Sequence, residues 1–209
     1  MFSLLPHQVD GVRAIVRLHG RALLADEMGL GKTVTALAVS QHYSGCLVVV
    51  CPGYLASNWH AEVMRWLPES SCQVVKSRRD QSRQADVTIA SYDVAVHLEW
   101  LEARVLIVDE SHYLKDHRSK RFQALRPLLH RTPRVLLLSG SPIPSRPVEL
   151  YSTFYALRPQ LVGRYDDYAR RFCARKRLRF GGFDDRGASR QTEPSQLLSR
   201  IMLRRTKED

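Results

Sequence analysis

The stretch LLADEMGLGKT, residues 23–33, runs from an apolar start into two glycines, a lysine and a hydroxyl residue. The preceding RALLA favours a short strand, and the following VTALAVSQHY favours a helix. A glycine loop between a strand and a helix directs backbone N–H groups and the positive end of the helix dipole toward an anion. The sequence therefore predicts a phosphate-binding loop within an α/β fold.

Four residues of this loop are suited to binding phosphate and magnesium. Gly29 and Gly31 lack a Cβ, so the main chain can curl closely around phosphate oxygens. Lys32 is placed to reach the β- and γ-phosphates, and the Thr33 hydroxyl is placed to ligate magnesium. The full pattern G-x-x-x-x-G-K-[ST] would need a glycine where Asp26 stands, so the match is incomplete at one position. A glycine turn with a surface lysine is the alternative, which the strand–loop–helix context disfavours.

A second apolar run, VLIV, ends in two adjacent carboxylates, Asp109 and Glu110. Asp109 suits a Walker-B role, in which it holds magnesium through the metal's coordination shell. Glu110 is placed to orient and deprotonate an attacking water. Such a pair after a strand is commonly a solvated turn. Combined with GLGKT in an alternating chain, it indicates nucleotide hydrolysis.

Apolar runs and helical patterns alternate along the chain to about residue 159. Strands are predicted at CLVVVC, CQVVK, DVTIAS, RVLIVDE and RVLLLSG, and helices at PHQVDGVRAIVRLHG, ASNWHAEVMRWLP and SKRFQALRPLLH. Pro127 is expected to end or kink the last of these helices. Trp59 and Trp66 are interpreted as core residues. The alternation predicts an α/β sandwich with a mostly parallel sheet and a site beyond the carboxyl ends of its strands.

The pattern weakens after Pro159, so we divide the chain into a nucleotide-binding part, residues 1–159, and a basic helical extension, residues 160–209. YDDYARRFCARKRLRF is predicted as a basic helix and GGFDDRGASRQTEP as a loop. SQLLSRIMLRRTKED is predicted as a closing amphipathic helix with an apolar face. That face consists of Leu197, Leu198, Ile201 and Met202.

Composition is that of an ordinary globular domain, with 209 residues, 44% hydrophobic and 25% charged. The longest apolar run is too short for a membrane span, and the start lacks the features of a signal peptide, so we expect an intracellular protein. The four cysteines form no C-x-x-C pair and have no histidine at zinc-finger spacing. We expect reduced, mostly buried thiols at Cys46, Cys51, Cys72 and Cys173.

The chain is basic, with a net charge of +11. From Arg164 onward, thirteen lysines and arginines face seven acidic residues, which gives a net charge of +6 in the last 46 residues. A polyanionic partner such as nucleic acid and a merely soluble basic surface are both open interpretations. For the basic run RKRLR, residues 175–179, DNA contact and a targeting signal are likewise both open interpretations.

In their order, these motifs resemble the Swi/Snf family of helicase-like ATPases in superfamily two, over about residues 4–207. LLPHQVDGV is similar to the family's adenine-reading motif, which assigns the base contact to Gln8. DEMGLGKT is similar to its nucleotide-binding loop, and DESH to its variant of the DEAH box. LLLSGSP resembles motif III, in which Ser141 here replaces the usual threonine. VVVCPGYLASNWHAEVMRW and TIASYD resemble motifs Ia and Ib, which face DNA in the family.

The resemblance implies a RecA-like P-loop three-layer sandwich with ATP and magnesium as cofactors. It implies catalytic roles for Lys32, Asp109 and Glu110, and magnesium contacts from Thr33 and Asp109. Nucleotide contacts are implied for Gln8, Asp26, Glu27, Met28, Gly29, Leu30, Gly31, Lys32 and Thr33. A coupling role between nucleotide and DNA is implied for His112, Ser139, Gly140 and Ser141.

VDESHYLKD, SRPVELY, DYARRFC, RGAS and IMLRRTK further resemble the annealing-helicase, fork-remodelling subgroup. The implied function is the N-terminal ATPase lobe of a double-stranded-DNA translocase that grips double-stranded or forked DNA by its phosphate backbone. Location in the nucleus of a eukaryote, or otherwise in the cytoplasm and nucleoid, is implied with it. For Lys115, Arg118, Lys120 and Arg121, DNA contact and simple solvation are equally open.

In the family, a second RecA-like lobe follows MLRRTK and supplies arginine fingers, each worth about 10³–10⁵ in rate. This chain stops at Asp209, so we expect the isolated lobe to hydrolyse ATP poorly. A catalytically silent scaffold that binds DNA or a protein is one alternative. A small P-loop kinase is another, against which DESH and Gln8 argue.

Overall fold

The structure, a computed structural model, describes residues 3–77, 80, 85–98, 101–140, 146–190 and 192–208. Its main sheet has seven strands. They are β1 (Arg21–Leu24), β2 (Leu47–Cys51), β3 (Cys72–Val75), β4 (Val87–Ser91), β5 (Val105–Val108), β6 (Arg134–Leu138) and β9 (Met202–Leu203). The order across the sheet is β3-β4-β2-β5-β6-β1-β9, and every neighbouring pair is parallel. The two short strands β7 (Lys176–Arg177) and β8 (Phe183–Asp184) form a separate antiparallel hairpin.

Helices cover both faces of the sheet. On one face lie α1 (Pro6–Arg17), α2 (Lys32–Ser40) and α3 (Ala56–Trp66). On the other lie α4 (Lys120–Arg131), α5 (Pro147–Leu157), α6 (Pro159–Val162), α7 (Tyr165–Phe172) and α8 (Thr192–Ser199). The described part of the chain contains no helix long and apolar enough to cross a membrane. The expected α/β three-layer sandwich with a mostly parallel sheet is confirmed.

The apolar runs form strands because both faces of each strand are covered. In β5, Leu106 and Val108 pack into one core cluster, while Val105 and Ile107 pack into the other. Successive side chains of a strand point to opposite faces, so an unbroken apolar run suits a strand between two helical layers. The thiols are mostly buried, as expected, since Cys46, Cys51 and Cys173 are buried and all four cysteines are free.

Two predicted helices after Pro159 are wrong in part. The closing helix ends at Ser199, and Met202–Leu203 forms β9 beside β1. Without β9, the edge of β1 would leave main-chain groups unpaired, and Leu23 N donates to Ile201 O at 2.8 Å. The basic helix likewise ends at Phe172, because Lys176–Arg177 leaves the helix to pair with β8.

Pro127 does not end its helix. α4 continues through this residue to Arg131, although proline removes one main-chain hydrogen bond. Pro127 itself is exposed, while the opposite side of α4 is buried in the core at Phe122, Leu125, Leu128 and Leu129. Burial of this apolar face offsets the missing bond.

Candidate nucleotide site

The glycine loop joins β1 to the first residue of α2, and its main chain is curled at the two glycines. Gly29 and Gly31 have φ angles of 93° and 74°, in the region that favours glycine. Lys32 begins α2, and its Nζ donates to the main-chain oxygens of Asp26 at 2.9 Å and Glu27 at 3.3 Å. The ammonium group therefore lies across the curled main chain, where it would meet a phosphate bound by the loop.

The start of α1 packs against the same loop. A Cβ on Gly31 would lie 2.3 Å from Nε2 of Gln8, so a side chain at this position would displace that amide. Gln8 is buried, and its Oε1 accepts a hydrogen bond from Leu5 N at 2.9 Å. His7 Nε2 lies 3.0 Å from Leu30 O. The structure thus places the predicted adenine-reading residue directly beside the predicted phosphate-binding loop.

The two carboxylates lie at the carboxyl end of β5, and Asp109 is held from several sides. Trp59 Nε1 donates to Asp109 Oδ2 at 2.8 Å, and Glu110 N donates to Oδ1 at 2.8 Å. Tyr92 OH donates to the main-chain oxygen of Asp109 at 2.6 Å. Burial first, and then the negative charge of Asp109, raises the pKa of the Tyr92 hydroxyl. The phenol therefore stays a proton donor, and Asp109 is fixed in one orientation.

Glu110 has an unusual backbone for a residue other than glycine. Its φ of 49° is left-handed, a conformation that costs free energy and concentrates at functional sites. The carboxylate is only partly exposed, its Oε2 is buried, and His112 Nδ1 lies 3.0 Å from that oxygen. His112 therefore contacts the predicted water-activating carboxylate directly.

Three neighbouring strands bring the predicted motifs together. β1, β6 and β5 are adjacent in the sheet, so the loop after β1 and the acid pair after β5 are separated by two strand spacings, about 10 Å. Between them, Ser139 is buried, and its N donates to Leu24 O at 3.1 Å. A Cβ on Gly140 would lie 2.9 Å from Met28 Cγ. Ser141, the fourth predicted coupling residue, lies outside the described residues.

Asp26, one of the predicted nucleotide contacts, is fully buried, and its side chain is paired with Arg205. Its carboxylate accepts hydrogen bonds from Arg205, from the main-chain N at 3.0 Å and from Nε at 3.1 Å. The guanidinium also donates to His7 O. Only the main chain of Asp26 is therefore available to a nucleotide.

Sequence reasoning missed Arg205 as well as the contacts of Trp59 and Tyr92 with Asp109. The tail that carries Arg205 also pairs with the loop, since Glu27 N donates to Arg205 O at 2.9 Å and Glu27 Oε2 accepts from Lys207 N at 2.9 Å. One signal was available, because a buried tryptophan usually needs an acceptor for its N–H. No sequence signal links Arg205 to Asp26.

The residues present fit a nucleotide with a divalent cation. The two positive-φ glycines form a cradle, and α2 begins at Lys32 with its N–H groups directed toward the loop. Within the described ranges, no group of three or more His, Cys, Asp or Glu converges on one point. Magnesium in such loops instead takes one hydroxyl, phosphate oxygens and waters. Thr33 would supply the hydroxyl, and Asp109 would contact the metal's shell.

The fold and this geometry define the chain as an α/β P-loop protein. A family model described as the SNF2-related domain matches residues 7–209. The chain therefore belongs to the SNF2-related domain family, as the sequence motifs suggested.

Relatives and solved structures agree with this membership. The chain is 39% identical, over 99% of its length, to the SWI/SNF-related matrix-associated actin-dependent regulator of chromatin subfamily A-like protein 1 of Xenopus tropicalis. It is 39% identical, over 98% of its length, to the human DNA annealing helicase and endonuclease ZRANB3. These matches cover 23% and 21% of the relatives, so the chain spans about a fifth of their length.

The structure is similar to the Sulfolobus solfataricus SWI2/SNF2 ATPase core in complex with double-stranded DNA. The TM-score is 0.83 at 27% identity, and the match covers all of this chain and 45% of that one. The chain thus has the fold of about half of a SWI2/SNF2 ATPase core.

Proposed function

We propose that this chain is the N-terminal ATPase lobe of an ATP-dependent double-stranded-DNA translocase of the annealing-helicase, fork-remodelling type. The observation that carries the proposal is the convergence of Lys32, Gly140 and Asp109–Glu110 on the carboxyl ends of three adjacent strands. The names of these relatives, a DNA annealing helicase and a regulator of chromatin, support the kind of substrate. They also support a nuclear location in a eukaryote.

Each residue of the site has a defined task in ATP hydrolysis. Gln8, fixed by its bond to Leu5 N, offers its amide to the base edge. Lys32 exchanges its loop carbonyl partners for phosphate oxygens and neutralises their charge. Glu110 accepts the proton of the attacking water at its carboxylate, next to His112. Bound magnesium supplies the positive charge that polarises the phosphate oxygens.

Coupling to DNA would use the contacts that surround this site. Gly140 packs closely against Met28 of the loop. A movement of the loop would therefore change the packing at the end of β6. His112 connects Glu110 to the segment that follows it. We assign residues 1–159 to the nucleotide-binding lobe and residues 160–209 to an extension that leads toward a second lobe. That lobe would supply the arginine that completes the site.

The proposal is tested first by nucleotide binding to this chain, measured with a fluorescent ATP analogue and magnesium. We expect Lys32→Ala to weaken binding at least tenfold, because it removes the charge that faces the phosphates. Lys32→Arg is the charge-retaining control. Glu110→Gln should keep affinity within about twofold, since its role concerns the water. Equal affinity of Lys32→Ala and the unmodified chain contradicts the phosphate assignment.

Hydrolysis is tested in a longer chain that carries both lobes, with and without duplex DNA. Glu110→Gln should lower the DNA-stimulated rate by about 10² or more, as loss of a general base does. Hydrolysis indifferent to DNA, with phosphate transferred to a small acceptor, would indicate a kinase. Nucleotide-independent DNA binding without hydrolysis would indicate a scaffold.

A further inference from the structure

The β7–β8 hairpin projects an aromatic side chain into solvent. Phe180, in its turn, is 98% exposed, and Leu178 and Phe183 on the same hairpin are about half exposed. The turn is tight, because Gly181 and Gly182 have positive φ angles and Leu178 N donates to Gly182 O at 3.1 Å. Three large apolar side chains exposed together on one short element mark an interaction surface.

This apolar tip is surrounded by exposed, positively charged side chains without an ion-pair partner in the described part of the chain. Lys176, Arg177 and Arg179 are exposed, and among the described residues none of them forms an ion pair with a carboxylate. Arg175 and Arg186, by contrast, are both paired with aspartates. A partner that suits this surface therefore combines negative charge with a flat apolar face. Phosphates and bases provide that combination in nucleic acid.

The base of the hairpin is fixed. Arg175 Nε donates to Asp185 Oδ1 at 2.7 Å, and Tyr165 OH donates to Asp185 Oδ2 at 2.8 Å. The Arg175 guanidinium also stacks 4.2 Å from the centroid of the Phe183 ring. Asp185 is buried, so this network stays ordered without a partner. Little conformational entropy is then lost when the tip binds.

The base of the hairpin also contacts the segment that follows Asp109 and Glu110. Arg118 NH2 lies 3.6 Å from Asp185 Oδ2, and Arg118 follows the short helix Ser111–Leu114 that begins directly after Glu110. Residues of this segment and of the hairpin together line a cavity of about 460 Å³. The hairpin is therefore in contact with the segment whose first residues form the candidate site.

We propose that the hairpin binds unpaired bases of DNA. Phe180 stacks on the face of a base, while Lys176, Arg177 and Arg179 contact the phosphates on either side. Bases inside an intact duplex are covered by their neighbours, so the hairpin favours single-stranded arms and frayed junctions over uninterrupted duplex. The choice of DNA as the nucleic acid rests on the proposed function.

Fluorescence anisotropy of two labelled DNAs with equal numbers of phosphates tests this inference. One is an uninterrupted duplex, and the other is a fork with unpaired thymidine arms. We expect the chain to prefer the fork. Phe180→Ala should weaken fork binding about fivefold or more, the lower end of measured base–aromatic stacking, and duplex binding less than twofold. Phe180→Trp should retain the preference, and Phe180→Leu should lose it because leucine has no π face.

The charged residues are tested by salt titration with a matched control. Replacing Lys176, Arg177 and Arg179 by glutamine should flatten the slope of log affinity against log salt by about 2 on the fork. The control removes the same charge from Arg17, Arg104 and Arg200, which are exposed elsewhere, and should change the slope less. Equal changes in the two triple variants contradict a local phosphate contact.

Two results overturn the inference. One is a fork preference that is absent, or that Phe180→Ala leaves unchanged. The other is a dimer of the unmodified chain that Phe180→Ala dissociates in sedimentation, because a second copy would then cover the tip. The DNA titrations contain no nucleotide, so fork preference in a chain that fails to bind ATP would contradict the translocase proposal and support the hairpin contact.

Discussion

In β5 every side chain is apolar and buried, whereas the segment after Gly163 combines buried apolar residues with several pairs of arginine and carboxylate. Arg175 meets Asp185 there, and Arg205 reaches back to Asp26 beside β1. Burial of apolar surface depends little on salt or on charge state. Ion pairs depend on geometry and on the retention of both partners. The site lies where the two regions meet, so its loop depends on both kinds of interaction.

The largest effect is expected from a cavity in the sheet. Ile107→Ala in β5 should lower the free energy of unfolding by about 4 kcal/mol, because the side chain is fully buried in the core cluster between the sheet and its helices. Urea denaturation followed by circular dichroism at low and high salt measures this change. Ile107→Val should cost about 1 kcal/mol. A loss that depended strongly on salt would contradict the difference proposed here between the apolar sheet and the ion-paired tail.

A somewhat smaller loss is expected from the tail. Arg205→Met should destabilise the chain by about 3 kcal/mol, because it leaves the buried Asp26 carboxylate without its cation. It should also weaken ATP binding, since Asp26 O accepts from Lys32. The exposed neighbour provides the control, and Arg204→Met should change stability by less than about 0.5 kcal/mol. Equal effects of the two substitutions would show that the pair does not hold the loop.

The smallest expected effect is on the pH dependence of the free energy of unfolding. It is compared for one cysteine thiol from each region. Burial raises the pKa of Cys51 in β2 to about 12 and that of Cys173 after α7 to about 11. Unfolded thiols ionise near pH 8.5, so each thiol's contribution to stability is complete below that pH and is lost as pH rises toward the folded value. We expect each to account for about 1 kcal/mol of the loss between pH 7.5 and pH 9.

Urea denaturation at the two pH values, in the unmodified chain and in Cys51→Ala and Cys173→Ala, isolates each contribution. The difference between the pH values removes the packing cost of each substitution. Equal contributions indicate that the sheet and the tail unfold together. A missing contribution from Cys173 alone would show that the tail opens separately from the sheet.

Local patterns predicted the centre of the molecule well. The apolar runs around β1 to β6 predicted the strands, and the glycines of the phosphate loop predicted its curled main chain. After Pro159 the patterns failed in part. IMLRRTK looks amphipathic, yet Met202–Leu203 is a strand because the edge of β1 needs a partner. The roles of Lys32, Thr33, Asp109 and Glu110 stay predictions, although the structure brings their strand ends together.

The sequence by itself determined that a phosphate-shaped loop and a carboxylate pair follow buried parallel strands, because glycine spacing and apolar runs act over a few residues. Only the tertiary structure decided what holds these groups. Asp26 meets Arg205 across 179 positions, and Asp109 meets Trp59 across 50. Local sequence patterns do not specify such pairs, because a buried polar group takes its hydrogen-bond partner from whichever distant segment packs against it.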